Sequence, residues 1–274
     1  MAERIDKLLA HEGYGSRKDI KKLLRSAEVL VNGKRIYDAG TQINQDSDVI
    51  TIDGEEVDLH QNIYLMMNKI MHTVSSNKDG EHQTVFDLLE EDMHTPYLEG
   101  KLHLVGRLDM DTEGLLLFTT DGELTHRVTS PKTHIDKTYF VILEHPESEE
   151  HKQEIEKLFT QGIEVGPDDN EEGFVCEPAK IQWATKELFE TYTKKSSYLE
   201  ALARTNTKVE NPENQAAFLT ITEGKYHQVK RMFTAVNNKV AFLKRVSMGS
   251  LKLDLELEPG EYRFLDEEEL DLLK

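Results

Sequence analysis

The stretch Gly106-Arg107-Leu108-Asp109-Met110-Asp111-Thr112-Glu113-Gly114 sets charged and turn-forming residues between two apolar runs, Leu102-His103-Leu104-Val105 and Leu115-Leu116-Leu117-Phe118. Each run is too short for a helix and bounded by glycine, so both read as buried strands and the charged segment as a loop at a sheet end. A carboxylate there, flanked by Arg107, can be held ionised and aimed at a ligand, as a nucleophile or base must be. The same residues also suit a plain turn in which Asp109 and Asp111 bond nearby backbone amides. A second informative stretch runs from Glu223 and Gly224 through Lys225-Tyr226-His227-Gln228-Val229-Lys230-Arg231 to Met232 and Phe233. Val229, Met232, Phe233 and Val236 recur at helical spacing and turn inward. Lys230, at the start of that helix, can point toward a sheet-end site and pair with Asp109. In Lys137-Thr138-Tyr139-Phe140-Val141-Ile142 the pattern alternates, which makes Tyr139 a core or sheet-face aromatic.

The elements that position these residues follow in chain order. Tyr64 to Lys69 reads as a strand, followed by a loop and a short helix at 85–89. Asp121 caps a helix through His126 and Arg127 that Pro131 terminates. Residues 147–160 form an acidic amphipathic helix with Ile155, Leu158 and Phe159 inside, stopped by Gly162. A strand over 174–183 is interrupted by Glu177 and Pro178, and residues 185–214 are polar and mixed, expected as a mobile excursion or long hairpin inserted in the domain. Alternation resumes at Ala217, Leu219 and Ile221, strands at 240–243 and 251–255 finish the sheet, and Asp266 with Glu269 caps a terminal helix.

Charge is unevenly distributed. The chain of 274 residues carries a formal net charge of −19, which alone argues against nucleic acid. Residues 1–36, however, hold nine basic against five acidic residues, a net +4, and residues 224–252 hold seven basic residues and no acid. Screening keeps distant acids from cancelling such patches. In the first tract Ile5, Leu8 and Leu9 mark one helix. Ser16 caps a second, basic one, with Ile20, Leu23 and Leu24 inward. Val29-Leu30-Val31-Asn32-Gly33-Lys34-Arg35-Ile36 then has the Asn-Gly of a tight hairpin, and a strand at 49–52 closes the unit. A polar linker at 58–62 follows. One cysteine, Cys176, points to a reducing compartment, and the absence of a long apolar run argues against a signal peptide or membrane span, so a cytoplasmic location is expected. The histidines contain no His-Glu-x-x-His pattern, so no metal site is expected.

Two short helices and a hairpin with Asn32, Gly33 and Lys34 at its tip resemble the RNA-binding domain of small-subunit ribosomal protein four. The resemblance assigns Arg4, Ser16, Arg17, Lys21, Lys22 and Arg25, with Asn32 and Lys34, to phosphates of structured RNA. Gly106-Arg107-Leu108-Asp109, Lys137-Thr138-Tyr139 and the stretch from Glu223 to Phe233 resemble the motifs of the RsuA-type pseudouridine synthases. Ser130-Pro131-Lys132, Pro178-Ala179-Lys180 and Pro259-Gly260-Glu261-Tyr262-Arg263 fall in that family's order. The Tyr226-His227-Gln228-Val229 segment favours the small-subunit branch over the large-subunit one. Two departures are an Ile70-Met71-His72 run where the family has proline and glycine, and the length of the 185–214 segment.

That resemblance implies an α+β fold, with a small N-terminal helix-helix-hairpin RNA-binding domain at 1–60. A larger catalytic domain at 61–274 is implied to have a mostly antiparallel mixed sheet flanked by helices. It implies isomerisation of uridine to pseudouridine in small-subunit ribosomal RNA, with large-subunit RNA or a non-catalytic ribosome-assembly factor as the alternatives. Asp109 is the implied nucleophile, attacking the ribose anomeric carbon or uracil carbon 6, with Lys230 keeping it ionised. Tyr139 is implied to stack on the base and to be able to accept a proton, Arg107 to fill the gap left by the flipped nucleotide, and Leu251 to supply an apolar wall. The reaction is redox-neutral and retains every atom, so no cofactor or metal is implied. The expected partner is ribosomal RNA, as an assembly intermediate, met by a monomer with no membrane association.

Overall fold

Ala2–Arg4 (β1) leads into Ile5–His11 (α1), and Ser16 starts Arg17–Ser26 (α2) through a reciprocal capping box with Asp19. In this computed structural model, residues 2–273 are described apart from Asp46, His60, Gln61 and Asn170. Val29–Val31 (β2) and Lys34–Arg35 (β3) pair across Asn32 and Gly33, whose φ values of 48° and 74° form the turn that the Asn-Gly pair favours. Gln42–Asn44 (β4) pairs with β1, while Ile50–Ile52 (β5) joins β2 to Glu55–Glu56 (β6). Only the β5 strand was anticipated among these last three. The apolar positions of both helices meet Val29, Ile43 and Ile50 in one core. Of the linker expected at 58–62, His60 and Gln61 lie outside the described residues. The chain divides into two units, residues 1–62 and 63–274.

The larger unit begins with Tyr64–Lys69 (β7), then Pro96–Lys101 (α3), His103–Leu104 (β8), Thr112–Thr119 (β9) and Gly122–Thr129 (α4). Asp121 caps α4 by accepting from the Glu123 and Leu124 amides at 2.9 and 3.1 Å, as its position before the helix suggests. Lys137–Leu143 (β10) and Glu149–Gln161 (α5) precede two short strands, Glu164–Val165 (β11) and Phe174–Val175 (β12), which pair as a separate hairpin. Lys180–Trp183 (β13) belongs to the main sheet instead, so Glu177 and Pro178 divide two strands rather than interrupting one. Then come Lys186–Thr193 (α6), Tyr198–Thr205 (α7), Pro212–Gln215 (α8), Ala216–Ile221 (β14) and Gln228–Ala235 (α9). Val240–Met248 (β15), Leu251–Lys252 (β16), Tyr262–Phe264 (β17) and Glu267–Asp271 (α10) complete the unit.

The main sheet runs β13-β14-β10-β15-β9-β7-β17, with β16 on β15 and β8 on β9. Only the β15–β9 pairing is parallel among the described strands. Strand alternation puts Leu65, Met67, Leu116 and Tyr139 on one face against Phe159 of α5 and Phe233 of α9. Met66, Leu115 and Leu117 lie on the other face with Leu124 and Val128 of α4. The 185–214 segment is the main departure from expectation. It is helical, not a hairpin, and Phe189, Ala201 and Leu202 bury beside Phe140 and Phe242. The helix-period apolar positions were hidden among polar neighbours, and burial on the sheet stabilises helices that propensity alone would not.

Candidate active site

The turn joining β8 to β9 carries Asp109, and backbone contacts from the segment after β7 fix it. The Ser75 hydroxyl donates to the Leu108 carbonyl at 2.7 Å and accepts from the Leu108 amide at 3.1 Å. The His72 amide donates to the Met110 carbonyl at 2.8 Å, and His72 itself adopts a left-handed φ of 68°. His72 thus makes the turn that a glycine would otherwise supply in this loop. Beneath it, the fully buried Lys69 ammonium donates to the carbonyls of Ile70, Asp109 and Thr112 at 3.1, 3.1 and 2.9 Å. Burial, only partly opposed by Asp111, Glu113 and Asp109, brings this lysine down to about 8.

Lys230, in the first turn of α9, meets the loop from the opposite side. Its Nζ lies 2.9 Å from Asp109 Oδ2 and 2.6 Å from Asp111 Oδ1. Both carboxylates therefore face a cation, not merely the turn's own amides. Burial alone would pull the Lys230 ammonium down, but the charges of Asp109 and Asp111 outweigh it and hold it above the ordinary lysine range. Around this pair opens a cavity of about 770 Å³, lined by Arg107, Asp109, Tyr139, His227, Lys230 and Arg245 among others. Its apolar wall comes from Ile221, Val229 and Leu243, all on the α9 face of the sheet. A half-exposed carboxylate beside a partly buried ammonium, over an apolar wall and a tyrosine, can attack an electrophilic carbon in a flat ring or a sugar.

The structure brings together Asp109, Tyr139, Lys230 and Arg107, but not Leu251. Tyr139 is nearly buried on the sheet face below the cavity. Arg107 is exposed on its rim, and its guanidinium has no hydrogen bond or ion pair among the described residues. Leu251 pairs with Met248 across the Gly249-Ser250 turn and packs with Met66, Leu115 and Leu253 on the far face of the sheet, so it does not line the cavity. A tight turn after β15 reverses the chain and directs that side chain away.

Several N-terminal residues are already engaged. Asp6, buried, accepts from Arg4 at 2.9 Å and from Arg17 at 3.2 Å, and the Arg4 hydrogen bond overcomes burial to hold the Asp6 carboxyl below its ordinary range. Ser16 caps α2, Lys22 pairs with Asp19 at 3.3 Å, and the Asn32 amide bridges Asp48 and the Val49 amide at 2.8 and 2.9 Å. Lys21, Arg25 and Lys34 are exposed and unpaired among the described residues.

Other groups at the cavity carried no assigned role in the sequence. His227 Nε2 lies 3.8 Å from Asp109 Oδ2, and its Nδ1 lies 2.7 Å from Asp168 Oδ2. The Tyr226 ring stacks on the imidazole at 3.7 Å, and its hydroxyl donates to Asp169 at 2.8 Å, which holds that phenol up at about 12. Arg231 donates to the Gly166 carbonyl at 2.6 Å and so anchors the β11–β12 turn against α9. No local spacing announces these contacts, since Asp168 and His227 are 59 residues apart. Asp168, Asp169 and His227 lie close enough to share an ion, but both carboxylates are already hydrogen-bonded and nothing else marks a metal centre. Arg245 is nearly buried at the cavity, donates to the Leu115 carbonyl at 2.8 Å and leaves Nη2 without a partner among the described residues.

An acidic loop clamped by a helix-borne lysine stands at one end of a mixed sheet, in a chain whose N-terminal unit is a helix-helix-hairpin, the architecture of a two-domain enzyme with its site at a sheet end. The sequence profile described as RNA pseudouridylate synthase matches residues 63–235, that of the S4 domain matches residues 3–58, and the chain belongs to the RNA pseudouridylate synthase family. It is 43% identical to an uncharacterised RNA pseudouridine synthase of Bacillus subtilis, over 98% of each chain. Identity is 38% to ribosomal small subunit pseudouridine synthase A of Vibrio parahaemolyticus, covering 98% of both chains. To the Escherichia coli K12 enzyme of the same name it is 35%, covering 97% of this chain and 98% of the other. A crystal structure of a pseudouridylate synthase, 34% identical, aligns over 99% of both chains with a TM-score of 0.59. The mixed-sheet enzyme fold and the N-terminal S4 domain are therefore those that the resemblance implied.

Proposed function

We propose that this enzyme converts a uridine of small-subunit ribosomal RNA to pseudouridine, with Asp109 as its catalytic carboxylate. The observation that carries the reading is the 2.9 Å contact between Lys230 and Asp109 at the cavity mouth. The contact fixes the carboxylate at the cavity mouth, where a nucleophile must stand to reach a bound ring. The similarity to enzymes named for the small ribosomal subunit extends over nearly the whole chain and supports the choice of RNA.

In this reading the target nucleotide leaves its stack and enters the cavity, and the unpaired guanidinium of Arg107 fills the space it vacates. Tyr139 stacks on the uracil. Asp109 attacks either the anomeric carbon, releasing the uracil as its anion, or ring carbon 6, after which the glycosidic bond breaks; the ring turns, carbon 5 bonds to the sugar, the carboxylate leaves the carbon it attacked, and carbon 5 loses a proton while nitrogen 1 gains one. The apolar wall that receives the ring is Ile221, Val229 and Leu243. The S4 domain, about residues 1–60, holds the RNA through Lys21, Arg25 and Lys34, with Arg4, Arg17 and Lys22 contributing the donors their acidic partners leave free. The enzyme acts as a monomer in the cytoplasm on an assembling subunit. No helix among the described residues is long and apolar enough to cross a membrane.

The test is tritium release from small-subunit rRNA bearing uridine labelled at carbon 5. Release by the wild type and none by Asp109→Asn, with binding retained, is the expected outcome. Tight binding without release by either protein would overturn the catalytic reading in favour of an assembly factor, and release only from large-subunit RNA would move the substrate.

A further inference from the structure

A fully buried carboxylate stands two residues beyond Asp111. Glu113 lies near the start of β9 beside Lys244, its partner across the parallel strand pair, and neither residue lines the cavity. Burying an ionisable group costs free energy unless polar partners compensate, so what these two side chains hold is informative. Glu113 Oε1 accepts from the Ser197 amide at 3.0 Å, and the Lys244 ammonium donates to the Lys195 carbonyl at 2.7 Å. Both strands thereby grip the turn that leads into α7. That helix packs on the sheet face opposite Tyr139, where Ala201 and Leu202 bury beside Phe140 and Phe242, and none of its residues lines the cavity.

The same helix also meets the segment that precedes the Asp109 turn. Met71, only 3% exposed, buries in the cluster that holds Ala201 and Leu202. Next to it, His72 places Nε2 3.0 Å from Glu200 Oε1 and 2.8 Å from Arg204 Nη2, themselves an ion pair at 3.3 Å. A ring nitrogen can accept from the guanidinium or donate to the carboxylate, and either bond ties the ring to α7. The His72 amide in turn donates to the carbonyl of Met110, the residue after Asp109. Of these ties the apolar one contributes more free energy, because the polar trio is half-exposed and such pairs stabilise little. The trio fixes direction instead. It holds the side chain of a residue at a left-handed φ of 68°, a conformation that persists outside glycine where the surroundings impose it.

We propose that α7 is a brace for the catalytic turn, with Met71, His72 and Glu113 as positioning residues that hold Asp109 from both flanks; the proposal rests on the pseudouridine synthase reading and adds the element that aims its carboxylate. Lys69 and Ser75 secure the backbone of the turn from nearby, through the Asp109 and Leu108 carbonyls. A turn tied only to neighbouring loops moves with them, and a small displacement of an attacking oxygen costs turnover. By gripping the segment before the turn and the strand after it, α7 joins both ends to the packed core on the far face of the sheet. The helices of 185–214 thus bring no group to the reaction. Their part is to keep a loop still.

The test uses the full-length enzyme and two readouts. One is turnover on transcripts of both ribosomal RNAs carrying uridine tritiated at carbon 5; the other is amide hydrogen exchange of the free protein over residues 70–76 and 106–114. Met71→Ala and Glu113→Ala are expected to lower kcat about 10-fold at unchanged KM and to speed exchange in both segments. Glu200→Gln with Arg204→Gln is expected to do the same to a smaller extent; this pair is half-exposed, so the variant folds even where a buried substitution does not. Met71→Leu, which nearly keeps the volume, is expected to restore both readouts. Leu124→Ala, in the cluster with Met66 and Leu115, controls for lost stability alone. It is expected to lower the urea midpoint while kcat per folded molecule and exchange in the two segments stay as in wild type. Wild-type kcat and exchange in Met71→Ala and in the double variant overturn the brace and leave the proposed function standing. A loss confined to KM also overturns it, and would make α7 an RNA contact. Wild type that forms pseudouridine in neither RNA overturns the proposed function, and exchange in the same segments then still decides whether α7 holds the turn.

Discussion

Lys69 shows how a buried residue can govern the position of the proposed catalytic carboxylate. Its ammonium is fully buried under the Asp109 turn and donates to three of the turn's neighbouring carbonyls within 3.1 Å. Burial lowers it to about 8, whereas Lys230 is held above the ordinary lysine range by Asp109 and Asp111 despite its own burial. Above pH 8 Lys69 therefore loses its proton while Lys230 keeps its own, and the turn loses its tether. A pH–rate profile is expected to show an alkaline limb near pH 8. The folding balance runs the other way. Between about 8 and the ordinary 10.5 the unfolded chain holds more protons at this site than the folded one, so the residue's contribution to stability rises with pH across that window. Lys244, also brought to about 8 by burial, acts in the same sense. Activity should then fall above pH 8 without a parallel fall in the urea midpoint attributable to these lysines. Lys69→Met should lose roughly 10- to 100-fold in kcat, since small displacements of a catalytic group cost that much, and should lose the limb. Persistence of the limb in that variant would assign it elsewhere.

At the scale of elements, the site depends on a close approach between β9 and β15, the parallel pair of the sheet. Gly114, at φ +97°, sits where an added Cβ would fall 2.2 Å from the Arg245 carbonyl oxygen. Gly114→Ala should destabilise the larger unit by about 3 kcal/mol, combining left-handed strain with overpacking, as read by urea unfolding; a change within a few tenths would show that the strands can separate at little cost. Much of this scale is legible in sequence because it is local: the Asn32-Gly33 turn, the Asp121 cap, the Gly162 stop of α5 and the period of α9 each depend on neighbours a few residues away. Asp109 and Lys230 are legible for the same reason, one standing in a turn between apolar runs and the other at a helix start. What escapes depends on where distant strands meet. Asp168 meets His227 across a hairpin that Arg231 ties to α9, and Leu251 pairs with Met248 in the cluster on the far face of the sheet. The helices of 185–214 escape because their apolar positions acquire meaning only against Phe140 and Phe242.

For the molecule as a whole, the decisive property is the separation of charge along the chain. Residues 1–36 carry +4 in a protein of −19, so phosphate attraction must be local and short-ranged if the acidic remainder is not to oppose it. The N-terminal cations also differ among themselves. Asp6 holds Arg4 and Arg17 at 2.9 and 3.2 Å, so these two serve the fold, whereas Lys21 and Arg25 project from α2 without partners among the described residues. Reversing the second pair, Lys21→Glu with Arg25→Glu, should remove two phosphate contacts and reduce the slope of log affinity against log salt by about 1.5. Affinity should weaken most at low ionic strength, while thermal unfolding of the variant stays near that of the wild type. Arg4→Ala should behave differently: it strips the buried Asp6 carboxylate of its shortest ion-pair contact, so its main effect is a loss of stability, read as a lower urea midpoint. Filter-binding isotherms taken across a range of salt, beside unfolding curves for the same proteins, separate the two cases. A salt slope unchanged by the double reversal would mean that α2 does not meet the phosphates, and the positive face of the S4 domain would have to be sought at Lys34 and the hairpin.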